Sequence, residues 1–194
     1  MTRRTLTDPS RLPAVSDRER GALLDPRMTL LTPDGAEVEL GTLAGSTIVV
    51  QLVRYFGCLP CQQYLRALHR RSDELAVLGA RPVAVGGSAD YQARWLRETG
   101  VSMPLLLDPA GEFREAVGLG DLTLRQLVAP RGLRAYLSAV VSGVPIRKPT
   151  ADLRRSPGIA ILGPDLDIRW THEGGALGDY PSLDVVLDQV RSLM

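Results

Sequence analysis

One stretch, from Gly45 to Gly79, limits the fold more than any other because its hydrophobic period changes partway along. Thr47 to Val53 reads TIVVQLV, a β-branched apolar run of the kind that forms a strand buried on both faces. After Gly57 come Cys58-Leu59-Pro60-Cys61, and from Pro60 to Leu78 the period is helical. Cys61, Tyr64, Leu65, Leu68, Ser72 and Leu75 fall on one stripe, with Arg66, Arg70 and Asp73 opposite. Gly79 is placed to end this helix. A strand covered on both faces needs layers of helix on either side, so the expected architecture is α/β with this strand central.

The rest of the chain supplies partners for that strand. Met28 to Leu31 and Val38 to Leu40 flank Pro33-Asp34-Gly35, a tight-turn sequence, and predict a β-hairpin. Pro82 to Val85 reads as a second buried strand. Ser88 is placed to cap a helix running to about Glu98, closed by Gly100. Met103 to Leu107 is a third strand, and Pro104 sets it near an edge or at a strand start. A short helix is expected from Glu112 to Val117. Ile159 to Leu162 and Ile168 to Thr171 form a second hairpin around Gly163-Pro164-Asp165, and Ser182 to Leu193 an amphipathic helix. Met1 to Arg27 reads as an extension packed on the core, with a short helix possible only over Ala14 to Leu24. The 194 residues suit one domain, 28–194, with that extension at 1–27 and an insertion at 120–155.

The insertion is helix-like from Leu124 to Val141, broken by Pro130 and Gly132. Its charges are mostly basic: Arg125, Arg131, Arg134, Arg147, Lys148, Arg154 and Arg155 against Asp121 and Asp152. An amphipathic cover packed on the domain is the favoured reading; a lid, an oligomer contact or a surface for an anionic partner are the alternatives.

The chemistry is expected at the two cysteines, the only two in the chain. Cys58 stands where a buried strand gives way to a helix, beside unpaired backbone N–H groups and the positive end of the helix dipole. Such settings lower a thiol pKa from about 8.5 to values between roughly 3.5 and 7.5, so Cys58 is the expected nucleophile. Pro60 suits the first helical turn, where a missing N–H costs nothing. Cys61, on the apolar stripe, is expected to be less exposed and to resolve an adduct at Cys58. The oxidised product would be a Cys58–Cys61 disulfide that needs an external reductant. Two buried cysteines without function are the plain alternative. A metal is the other: Cys58, Cys61, His69 and His172 lack zinc-finger spacing, while an iron–sulfur site shared between two subunits needs only the paired thiolates.

At these residues the sequence resembles the AhpC/TSA-type peroxiredoxin-like family of the thioredoxin superfamily. The resemblance runs through MTLLTPDGAEVELGTLAGSTIVVQLVRYFGCLPC, continues in VAVGGSADYQARWLRETGVSMPLLLDPAGEFREAVGL and resumes at SPGIAILGPDLDIRWTHEGGALGD. It implies a thioredoxin-like fold: a central mixed β-sheet flanked by helices, an N-terminal β-hairpin extension and a helical insertion before the cis-proline strand. It also places Pro157, ahead of Gly158, at the cis-proline position that shapes the groove beside the redox helix. Where typical members carry a threonine three residues before the attacking cysteine, this chain has Tyr55. The implied activity is reduction of hydrogen peroxide or of alkyl or lipid hydroperoxides. The alternatives are protein thiol–disulfide exchange and a redox sensor that turns nothing over. No cofactor beyond a thioredoxin-like or low-molecular-weight thiol reductant is implied.

Other features are read as structural. Arg54 either raises the positive potential at the redox turn or points to solvent. Arg154 and Arg155 read as a solvated pair, Tyr64 and Trp95 as packing residues, and Gly86-Gly87 as a turn. A net charge of +1 gives no global field toward nucleic acid or an acidic membrane, although charge can still be clustered locally. With no signal-peptide-like N-terminus and no apolar run near the roughly 20 residues of a membrane span, a soluble, cytoplasmic protein is expected, with no membrane or nucleic-acid partner.

Overall fold

A computed structural model describes residues 20–87, 89–148 and 153–193. Seven strands form one mixed sheet: β1 (Thr29–Leu31), β2 (Glu37–Glu39), β3 (Thr47–Leu52), β4 (Ala80–Gly86), β5 (Leu105–Leu107), β6 (Gly158–Leu162) and β7 (Ile168–Glu173), in the order β2-β1-β5-β4-β3-β6-β7. Strands β3, β4 and β5 run parallel, while the two hairpins attach antiparallel at either end. Both hairpins and the interior position of β3 are as expected. Strand β5 begins just past Pro104 and lies inside the sheet, between β4 and β1. The proline therefore marks a strand start and not an edge.

Period-2 alternation divides the core into two layers. On one face Val49, Val53, Ala84, Leu105, Leu107, Ile159 and Ile161 meet the helices α1 (Leu59–Arg70), α3 (Asp90–Glu98) and α7 (Leu183–Ser192). On the other, Ile48, Val50, Leu52, Val83, Val85, Leu106, Ala160 and Leu162 meet Phe113 and Val117 around α4 (Glu112–Ala116) and the N-terminal Leu24, Leu30 and Leu40. This is the thioredoxin-like arrangement that the resemblance implies.

The long helix expected from Pro60 to Leu78 is two helices. Arg71, at φ −97° and ψ 11°, separates α1 from α2 (Ser72–Val77). The Ser72 hydroxyl turns back to the His69 carbonyl, and Asp73 and Glu74 fill the new first turn, so Ser-Asp-Glu opens a second helix. Gly79 ends it, at φ 62°. The expected cap Ser88 lies outside the described residues, as does the part of the expected N-terminal helix from Ala14 to Glu19. Residues 20–24 are not helical: Gly21 N–H donates to the Ile168 carbonyl and Ile168 N–H to that of Ala22, which extends the sheet beside β7.

The insertion leaves and returns through one stapled base, where Leu122 N–H donates to the Arg154 carbonyl and Ser156 N–H to that of Gly120. Within it lie α5 (Leu124–Leu127), closed by a capping box from Thr123 to Gln126, and α6 (Pro130–Val141). Pro130 starts α6 instead of breaking it, and Gly132 is buried within it. Helix α6 lies along α1, where Gln63 Nε2 reaches the hydroxyls of Ser138 and Ser142.

Candidate active site

Strand β3 delivers the chain to the redox turn, and each residue of that turn is fixed by backbone. Val53 N–H continues the ladder to the Val85 carbonyl, Cys58 N–H donates to the Tyr55 carbonyl, and Gln62 N–H to that of Cys58. Cys58 is the N-cap of α1, and Pro60 occupies its first turn. Gly57 is required by crowding: its N–H donates to Gln92 Oε1 at 2.7 Å, and a Cβ would stand 2.5 Å from the Gln92 amide and 2.9 Å from Arg147.

The two sulfurs lie 2.7 Å apart, with the Cys61 thiol oriented to donate to Cys58. Both cysteines are free. A bond length of about 2.05 Å lies less than about 1 Å of movement away. The expectation that Cys58 is the more exposed of the two is corrected, since neither has any exposed surface. What covers Cys58 comes from far along the chain. Arg54 Nη1 stands 3.9 Å from its sulfur and 3.4 Å from the Tyr136 hydroxyl, which is itself 3.9 Å from the sulfur. Arg54 Nη2 also donates to the Leu153 carbonyl, so one guanidinium ties the redox turn to the middle of the insertion and to its returning end. Arg54 therefore points inward at the thiols and not to solvent.

Burial pushes the Cys58 thiol well above the ordinary cysteine range, and the hydrogen-bonding and charge interactions with Cys61 add to this while the Arg54 charge opposes it. Burial also acts upward on Cys61. There it is outweighed by the hydrogen bonds with Cys58 and Tyr180, the Arg54 backbone and the Arg54 charge, which together hold Cys61 down at about 7. The lowered value thus falls on Cys61, where the sequence pointed to Cys58. The reason is that the two sulfurs share a proton: the pair gives up its first proton easily and its second with difficulty. Burial and the Cys58 charge push the Tyr136 hydroxyl up, so it remains a neutral donor beside the sulfur.

Three further residues complete the site without having been anticipated. Gln51, the polar residue of the TIVVQLV run, points to the redox-helix face, where its Nε2 donates to the Cys61 carbonyl at 3.1 Å. Tyr180 stacks on Tyr64 at 4.4 Å between centroids and donates to the Leu52 carbonyl. Arg114 is buried and brackets two carbonyls, Val53 at 2.8 Å and Ser156 at 2.5 Å, joining the end of β3 to the residue before Pro157. The lone glutamine in an apolar strand was a readable signal; Arg114, an arginine in a short helix, carried none.

Pro157 does lie at this end of the sheet, since Gly158 pairs with Leu52. The cis peptide bond expected there is corrected: no peptide bond among the described residues is cis, so Ser156–Pro157 is trans. Ser156 N–H is tied to Gly120 on one side, and the Pro157 carbonyl accepts from Gly174 N–H on the other; this extended ladder runs on in the trans form that X-Pro bonds already favour. Of the remaining candidates, Arg155 reaches the carbonyls of Asp108 and Pro109, and His172 Nε2 lies 3.3 Å from the Asp179 carbonyl. Tyr64 packs on Tyr180, and Trp95 lies beneath Arg147, whose guanidinium is 4.0 Å from the ring. Among the described residues no three His, Cys, Asp or Glu side chains are grouped to hold a metal ion, and no helix is long and apolar enough to cross a membrane.

Comparison with known proteins agrees with this fold. No curated protein sequence matches the chain. Among solved structures it is similar to the peroxidoxin BcpB of Mycobacterium tuberculosis, with 14% identity and a TM-score of 0.62 over 91% of this chain and 98% of that one. It is also similar to the bacterioferritin comigratory protein of Xanthomonas campestris, described for alkyl peroxide reduction, with 12% identity and a TM-score of 0.57 over 91% and 99%. A third is the dsbF of MTB, solved in mixed oxidised and reduced forms, with 13% identity and a TM-score of 0.52 over 87% and 96%. At these identities the likeness shows the shared fold. The family model described as AhpC/TSA family matches residues 25–135, more than half of the chain, so the chain belongs to the AhpC/TSA family and is a peroxiredoxin-like thiol oxidoreductase.

Proposed function

We propose that the protein reduces peroxides with Cys58 as the attacking sulfur and Cys61 as the resolving one. The observation that carries this is the 2.7 Å sulfur pair at the N-terminus of α1, with Arg54 3.9 Å from Cys58. One proton leaves the pair near neutrality. The remaining proton is shared between the two sulfurs, and the attack uses the form in which Cys61 holds that proton and the charge lies at Cys58, on the side facing Arg54 and Tyr136. The Cys58 thiolate attacks the peroxide oxygen and the O–O bond breaks. Cys58 becomes a sulfenic acid, and the departing alkoxide or hydroxide takes up a proton and leaves as an alcohol or water. Arg54 and the Tyr136 hydroxyl are the donors placed for the charge that develops in that step. The Cys61 sulfur then attacks the sulfenic sulfur, expels water and closes the disulfide. Two electrons and two protons from a thioredoxin-like or low-molecular-weight thiol reductant restore the dithiol, with no prosthetic group needed.

Access sets the cost of this reaction. With both sulfurs covered, the contact of Tyr136 and Leu153 with Arg54 must open before a peroxide reaches Cys58. Pro157, just ahead of β6 and beside the end of β3, is assigned to the wall of that opening. The test is to mix reduced protein with hydrogen peroxide and with cumene hydroperoxide and to map the peptides. One disulfide should form per peroxide consumed; Cys61→Ser should stop at a dimedone-trappable sulfenic acid, and Cys58→Ser should lose the rapid reaction. Oxidation of Cys58→Ser at the wild-type rate would reassign the attacking sulfur. A second reading, dithiol–disulfide exchange with proteins, is favoured by the CxxC geometry itself; insulin reduction without peroxide consumption would select it.

A further inference from the structure

Helix α6 packs on the domain by the edge that carries Gly132, Tyr136 and Ala139, which leaves its hydrophobic stripe facing outward. Leu133, Leu137, Val140 and Val141, at spacings i, i+4, i+7 and i+8, form one stripe, and their exposures run from 48% at Val140 to 88% at Val141. Leu124, Val128 and Ile146 elsewhere in the insertion are also more than two-thirds exposed. Folding normally turns such a stripe inward, so one left outside points to a partner.

The charge around the stripe says which partner. From Leu122 to Lys148 the chain has no acidic residue and five basic ones: Arg125, Arg131, Arg134, Arg147 and Lys148. The whole chain is only +1, so everything outside this segment is net −4. Arg125, Arg131 and Arg134 line a surface groove of about 620 Å³ with Val128. Arg131 is shared with Asp179 at 3.5 Å, while Arg125 and Arg134 make no hydrogen bond or ion pair among the described residues.

We infer that the insertion is a docking face for an anionic phospholipid surface, in which the α6 stripe enters the interface and the arginine groove takes lipid phosphates. Basic side chains beside an aliphatic helix face are the composition of an interfacial helix, and juxtaposed arginines bind phosphate oxygens in fork geometry. A second copy of the chain is disfavoured, because a two-fold contact would set Arg131 and Arg134 of one face against the same arginines of the other, and the Asp179 carboxylate beside them is already shared with Arg131 of its own face. A protein partner would be expected to meet aromatic anchors, whereas this face is aliphatic and its tyrosine, Tyr136, is turned in onto Cys58. This proposal stands apart from the redox reading, since binding is read with no thiol reaction.

The test is co-sedimentation of the full chain with vesicles of phosphatidylcholine alone or with about one-third phosphatidylglycerol. The protein should bind the anionic vesicles, be released at about 0.5 M NaCl, and stay free of the neutral ones. Arg125→Gln with Arg134→Gln should weaken binding about tenfold or more, and Leu137→Glu should do the same from the apolar side. Circular dichroism and the thermal transition of each variant should match the wild type, because the three residues are exposed. No binding to anionic vesicles overturns the inference, as does binding that these variants leave unchanged. A dimer that Leu137→Glu dissociates, without vesicle binding, assigns the face to a second copy and overturns it equally.

Discussion

The two faces of the sheet are built to different rules. Below it, Ile48, Val50, Leu52, Val83, Val85, Ala160 and Leu162 pack in a layer of apolar side chains. Above it, the same strands present Gln51 between Val49 and Val53, and the layer they meet contains two thiols, Tyr55 and Tyr180, with Arg54 alongside. Several polar atoms there are buried without a hydrogen-bond partner among the described residues: Gln51 Oε1, Arg54 Nε, the Tyr64 hydroxyl and both amide ends of Gln62. Each such atom costs of order 1–3 kcal/mol. The lower face thus supplies stability, and the upper face gives some of it up to hold a proton-sharing sulfur pair next to a cation.

The clearest way to break this comparison is to damage the lower face alone. Ile48 has no exposed surface, and Ile48→Ala should cost about 3 kcal/mol in chemical denaturation by removing buried methyl groups and leaving a cavity. The rate at which iodoacetamide modifies the folded protein should keep its wild-type pH midpoint. A shift of that midpoint would mean that the two layers are mechanically coupled.

The upper face is tested through its charge. With Cys61 held at about 7, the reactive form of the pair is present above neutrality and lost as pH falls below it, so alkylation should rise through a midpoint near pH 7 instead of about 8.5. The Arg54 charge favours the ionised form of both sulfurs. Arg54→Met should therefore move the midpoint upward, and one unit of movement cuts the reactive fraction at pH 7 by about fivefold. The same variant frees Tyr136 and the Leu153 carbonyl, which loosens the cover and raises the plateau rate at high pH. Midpoint and plateau move for separate reasons and are measured separately. An unchanged midpoint would leave the hydrogen bonds with Cys58, Tyr180 and the Arg54 backbone as the source of the acidity.

What the sequence allowed to be read follows the same division. Strand β3, both hairpins, the stop at Gly79 and the strand-to-helix position of Cys58 are local patterns in which apolar period and turn residues agree. The burial of Cys58 was not legible, because it depends on Tyr136 and Leu153, which are distant in sequence and brought over the sulfur by Arg54. Arg54 follows the end of β3, where strand alternation no longer says which way a side chain points. The apolar period of α6 was visible, but an amphipathic pattern does not reveal whether its stripe faces the core or the solvent. The Ser-Asp-Glu start of α2 was present in the sequence and hidden by a stripe that runs on across the break. The cis form at Pro157 came from resemblance alone, and the extended ladder at Ser156 and Gly174 keeps the bond trans.

The smallest effect belongs to Gln51, where the two rules meet within one strand. Its Nε2 donates to the Cys61 carbonyl while its Oε1 has no partner among the described residues. Gln51→Leu removes one hydrogen bond with a net value of about 1 kcal/mol and also removes one buried, unpaired acceptor, so the two terms oppose each other. Stability should change by less than about 1 kcal/mol, in contrast to the loss at Ile48, three residues away on the opposite face. The carbonyl it holds belongs to the residue whose thiol shares the proton, so a small change in the pH midpoint of alkylation is the more sensitive readout. A loss above about 2 kcal/mol in Gln51→Leu would show that the polar side chain holds the redox helix on the sheet, and the upper face would then be supplying stability as the lower one does.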